Sequence, residues 1–151
     1  MTISETQSQR TGTQAQRETG RSIMAVIVGI VAGVLPTLIT DAVLHVTHVF
    51  PPLGQSMSDG LFVLATAYRI VFSTFGSYVI ARLAPNRPMR HALIGGIIGV
   101  IVSTIGAAVT WNHVPSLGPH WYPIALIVTA LPCAWLGGKV RLMQLAERPV
   151  M

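Results

Sequence analysis

Two ionisable side chains lie where ionisable side chains are expensive. Asp41 falls inside the apolar run 22–45 and Arg69 in the middle of the run 61–82, while the other nine of the ten basic residues lie between such runs or at their ends. An arginine near the centre of a bilayer costs on the order of 3 kcal/mol even on lenient insertion scales, so a compensating partner is expected. Asp41 is the only acidic residue inside another apolar run and is the natural candidate. Alone, an intramembrane carboxylate suits a proton or ion relay, and an intramembrane guanidinium suits an anionic substrate. Paired across neighbouring helices, the two suit a structural clasp that fixes register, and a matched pair favours that second role.

A second constellation is built from histidine. Asp41, His45 and His48 follow i, i+4, i+7 spacing, which puts them on one helix face, and His113 and His120 lie in another connection on the same side. Such a set could ligate a metal or sense external pH. HxxH spacing is common by chance, so neither a metal nor a cofactor is assigned. No Ser/His/Asp set with a glycine elbow, phosphate loop, paired carboxylate site or cofactor motif occurs, and a non-enzymatic protein is expected. The single cysteine, Cys133, excludes an internal disulfide, and its apolar surroundings disfavour a thiolate.

The elements that must position these residues are four apolar runs, about 22–45, 61–82, 92–111 and 122–142. Each has the length of about 20 residues that a helix needs to cross ~30 Å of hydrocarbon. Only 10% of the 151 residues are charged, too few to cover a soluble domain, where about 25% is usual. The expected fold is an all-α integral membrane protein, four transmembrane helices in an up-down-up-down bundle spanning 22–145. Residues 1–21, rich in Ser, Thr, Gln and Arg, read as a disordered cytoplasmic tail, and 146–151 as a short second one.

Charge placement orients the bundle. Arg10, Arg17 and Arg21 precede the first span, Arg82, Arg87 and Arg90 surround the second connection, and Lys139, Arg141 and Arg148 mark the end of the fourth span, whereas the other two connections contain no Lys or Arg. By the positive-inside rule both termini are cytoplasmic. The net charge of +5 is therefore topological and implies anionic lipid headgroups as contacts, not nucleic acid. The stretch 81–91, Ala-Arg-Leu-Ala-Pro-Asn-Arg-Pro-Met-Arg-His, reads as a rigid basic corner on those headgroups. Trp111, Trp121 and Tyr122 cluster at the opposite interface as aromatic anchors.

Every span carries small or weakly polar residues at helical spacing. These are Gly29, Gly33, Thr37 and Asp41; Thr66, Arg69, Ser73, Gly76 and Ser77; Ala92, Gly95, Gly99, Ser103 and Gly106; and Ala125, Thr129, Cys133 and Gly137. Lipid gives helices no hydrophobic reason to associate, so these stripes should be the inward faces, where backbones approach closely. A shift of 66 residues superposes Gly29, Gly33 and Thr37 on Gly95, Gly99 and Ser103, a thin signal of duplicated hairpins.

Two functions of different classes follow. One is a non-enzymatic component of the bacterial cytoplasmic (inner) membrane, acting as an assembly, scaffold or envelope protein through a homo-oligomer or a membrane-protein partner. The other is a small oligomeric transporter or channel with Asp41 and Arg69 near its pathway. The faces are narrow and no span has a continuous polar side, so the first is preferred.

Overall fold

The computed structural model describes residues 3–52, 55, 57–112 and 118–147, with the backbone alone for 3–13 and 15. It is all-helical: α1 (Ile3–Val46), α2 (Asp59–Leu83), α3 (Pro88–Thr110) and α4 (Trp121–Ala146). All four are long and apolar enough to cross a membrane. Local chemistry sets the ends. Pro88 opens α3, where a missing N–H costs nothing, and Arg87 before it takes a left-handed turn at φ 47°. Asp59 lies in the first turn of α2, where its charge suits the helix dipole.

α1 begins well before the apolar run. Residues 3–21, expected as a disordered tail, continue it as helix. No proline precedes Pro36, and extending an existing helix needs no new nucleus. The extension reaches the α2–α3 connection, where Asn86 Nδ2 donates to Glu18 Oε2 at 3.3 Å. At the other terminus α4 closes with the Glu147 N–H on Met143 C=O. Residues 148–151 of the short second tail lie outside the described residues.

Small residues make the core. Ala25, Ala65, Ile80, Ala81, Ala92, Cys133 and Ala134 are buried. α2 is the hub, packed on α1, α3 and α4, whereas α1 barely meets α3 and, among the described residues, does not meet α4. A Cβ on Gly76 would stand 2.7 Å from Gly29 O and 3.1 Å from Gly33 Cα, and one on Gly137 2.6 Å from Thr74 O. No side chain fits at either crossing. Gly96 on α3 lies against Ala134 and Leu131 of α4 in the same way.

The expected stripes occupy these contacts with two departures. Gly106 faces open space, and Ala107 is buried in its stead, because a 3.6-residue turn carries the contact face past position 106. Gly95 faces Ile80 of α2, the same side chain that Gly29 meets from α1. The α3–α4 contact falls to Gly99, in step with a 66-residue repeat, and to Gly96, one residue out of step with it.

These contacts make one position intolerant and another free. Gly76→Val should destabilise the bundle by about 1–3 kcal/mol through overpacking. Gly106→Val, with nothing within 4 Å of its Cβ, should leave stability within about 0.5 kcal/mol. Denaturant unfolding in mixed micelles followed by circular dichroism separates the two.

Candidate functional site

Asp41 and Arg69 meet. Arg69 Nη2 donates to Asp41 Oδ2 at 2.6 Å. Their side chains are 24% and 26% exposed respectively. Contacts that climb α1 descend α2, with Gly29 near Gly76 and Ile80 and Gly33 near Phe72, so the next level up brings Asp41 to Tyr68 and Arg69. Side chains lean toward their own helix N-terminus, which closes the remaining offset in depth.

The other carboxylate oxygen is also occupied, because the Tyr68 hydroxyl donates to Asp41 Oδ1. Tyr68 thereby joins the pair. Thr40 and Thr66 spend their hydroxyls on their own helices, at Pro36 O (2.8 Å) and Phe62 O (2.8 Å). An unforeseen partner comes from α4: the Arg69 Cζ lies 5.6 Å from the Tyr122 ring centroid and 5.9 Å from that of Tyr68. A cation over aromatic faces is stabilised by the ring quadrupole. Tyr122, read from sequence as an interfacial anchor, packs in turn on buried Phe62 at 5.0 Å. The cluster therefore ties α1, α2 and the start of α4 together.

The described histidines do not assemble. His45 Nδ1 lies 2.8 Å from the Asp41 backbone carbonyl, and its ring stands edge-on to buried Phe50. His48 leaves the expected face because α1 ends at Val46, and it adopts φ 57°. His120 lies against Trp111, the ring centroids 4.5 Å apart and the planes tilted by 50°, and His113 lies outside the described residues. Among the described residues no three His, Cys, Asp or Glu come together as a metal site requires.

At the basic corner, Arg82 Nη1 donates to the Tyr78 hydroxyl (2.9 Å), which donates to Gln144 Oε1 (3.0 Å). That chain links α2 to α4. Arg87 and Arg90 head a shallow groove of about 590 Å³ whose wall includes Leu93, Ile94 and Ile97.

A feature the sequence did not announce is a cleft of about 340 Å³ between α1 and α3, with α2 as its floor and α4 behind. It starts at Arg69, runs past Ser73 to Ser77 and Ile80, and is walled by Thr37 on α1 and Ser103 on α3. Its sequence signal is the spacing of Arg69, Ser73 and Ser77 at i, i+4 and i+8. That signal was legible as an inward stripe but not as an unfilled one.

These observations define a class by architecture: an all-helical chain with four helices able to span a membrane, compatible with an integral membrane protein. Compared with protein-family models, curated proteins and solved structures, the chain matches none.

The pair makes a cycle measurable. Asp41→Asn and Arg69→Gln should each cost about 2–4 kcal/mol by leaving one charge unmatched in a low dielectric, and the double variant less than their sum. Tyr68→Phe should cost about 1–2 kcal/mol for the lost bond to a carboxylate. A double variant whose loss of folded protein equals the two single losses added together, read by fluorescence-detected gel filtration, would show that the two charges do not support each other.

Proposed function

We propose that this chain is a small multi-pass component of the bacterial cytoplasmic membrane that acts without catalysis, as an assembly, scaffold or envelope protein. Its helices stand up-down-up-down with both termini in the cytoplasm. The observation that carries this is the closed charge balance of the clasp. Both oxygens of Asp41 are bonded, to Arg69 and Tyr68, so the carboxylate is held as a structural acceptor. A carboxylate relay needs one free oxygen and a path to water on both sides.

The lipid bilayer and its anionic headgroups are the first partners. Arg82, Arg87 and Arg90 would lie in the cytoplasmic headgroup layer, each contributing about 1 kcal/mol of attraction, and the groove below Arg87 and Arg90 gives an acyl chain a wall to lie against. The exposed apolar faces of the helices, such as Ile23, Ile27 and Val31 on α1, are open to lipid, a second copy or a membrane-protein partner.

The cleft beside Arg69 favours a second reading, a small oligomeric transporter or channel. One copy leaves little room for a pore between such closely packed helices, so transport would need at least a dimer.

Two measurements discriminate. In proteoliposomes neither the wild type nor Asp41→Asn should conduct protons or ions above protein-free vesicles; a wild-type flux abolished by Asp41→Asn transfers the assignment to transport. In a Cys133→Ser background, Gln55→Cys should react with an impermeant maleimide from outside the cell, and Gln16→Cys only after permeabilisation. Reversed labelling overturns the topology.

A further inference from the structure

Ser77 is only 8% exposed, lines the cleft, and has no hydrogen-bond partner among the described residues. The threonines of the same helices behave otherwise: Thr37, Thr66, Thr74, Thr104 and Thr129 each donate to a carbonyl one turn back. Ser73 and Ser103 share the cleft with Ser77 and likewise lack a partner among the described residues. Arg69, at its end, uses Nη2 on Asp41, whereas a guanidinium carries five N–H donors. Unmade hydrogen bonds at membrane depth cost several kcal/mol per group, so a polar occupant is called for.

Size and charge narrow the occupant. A helix of ~10 Å diameter along the twelve residues from Arg69 to Ile80 would fill roughly 1,400 Å³, several times the cleft volume of about 340 Å³. The space is instead that of a small ligand. A cation finds no carboxylate to meet it, since the cleft lining includes no Asp or Glu and both oxygens of Asp41 are bonded. A second anion would leave a net negative charge in hydrocarbon, because Asp41 already neutralises the guanidinium. What remains is an uncharged group rich in oxygen acceptors. The rest of the wall is apolar, with Ile30 and Val34 on α1 and Ile98 and Val102 on α3. Val34 and Val102 are 50% and 62% exposed, which leaves the mouth facing the surrounding lipid.

We propose that the α1–α3 cleft binds an uncharged amphiphile drawn from the bilayer. Its ester or hydroxyl oxygens meet Arg69, Ser73, Ser77 and Ser103, and its chain lies along Ile30, Val34 and Val102. The chemistry is that of a monoacylglycerol. This goes beyond the scaffold reading and does not depend on it, since binding requires no flux and no partner protein.

The test uses the full chain in phosphatidylcholine nanodiscs with a diazirine-bearing monoacylglycerol, photolysed and mapped by peptide mass spectrometry. Labelling should concentrate on cleft residues of α1 and α3 and be displaced by mono-oleoylglycerol. Ser73→Ala with Ser77→Ala should weaken that displacement about tenfold, as expected for two lost hydrogen bonds. Val102→Trp, at the exposed mouth, should cut labelling while leaving the polar wall and the fold intact, the latter checked by an unchanged gel-filtration profile. Labelling spread over every lipid-facing helix surface and indifferent to these variants would mean that the cleft holds only water. Displacement by oleate in preference to mono-oleoylglycerol would overturn the uncharged head.

Discussion

Inside hydrocarbon, an apolar side chain gains nothing from leaving lipid for another helix, so this bundle depends on how closely its backbones can approach. The crossing of α1 and α2 is the tightest instance. Gly29, Gly33 and Gly76 bring main chain onto main chain, with no room for a Cβ on Gly76. α2 repeats the device on its other side, where Gly137 of α4 sits against Thr74, Ser77 and Tyr78. One helix thereby becomes the hub of three contacts. α1 and α3, which barely meet, stand apart on either side of it, and the cleft runs between them from Gly29 and Gly95 to Thr37 and Ser103.

The clasp answers the difficulty that this separation creates. α1 is held almost entirely by α2, and its last close glycine contact, at Gly33, lies about three and a half turns before the helix ends at Val46. Asp41 bridges the interval with two bonds, to Arg69 and Tyr68. Tyr122 then places an aromatic face on the cation from α4. A charge that would be a liability in an apolar run is thus converted into a contact among three helices.

Much of this was legible in the sequence, for identifiable reasons. Span length and hydropathy are set by bilayer thickness, so four apolar runs translate directly into four helices. The Asp41–Arg69 pairing was legible because charges are so rare in the spans that each has one candidate partner, and helix rise put both at similar depth. The inward faces were legible as small-residue stripes, except at Gly106, where a one-residue drift decides between lipid and protein. The contact of Tyr122 with Arg69 was not legible because an aromatic residue at a helix start looks the same whether or not a neighbour's cation lies over its ring. The cleft was hidden for a deeper reason. Periodicity tells which face of a helix turns inward, but not whether two inward faces touch.

Arg69 belongs to both features, and this removes an apparent conflict between them. A purely structural clasp would be served by an arginine whose remaining donors were buried against protein. Here Arg69 also lines the cleft, so the bond to Asp41 has two consequences: it cancels the charge and it sets the position of α1, which is one wall of the cleft. Cancelling the charge leaves N–H donors without a net field, which suits an uncharged acceptor and disfavours an ion. Holding α1 limits the width available to that acceptor. The clasp and the cleft are then parts of one arrangement, in which register, width and ligand charge all follow from where a single carboxylate is placed.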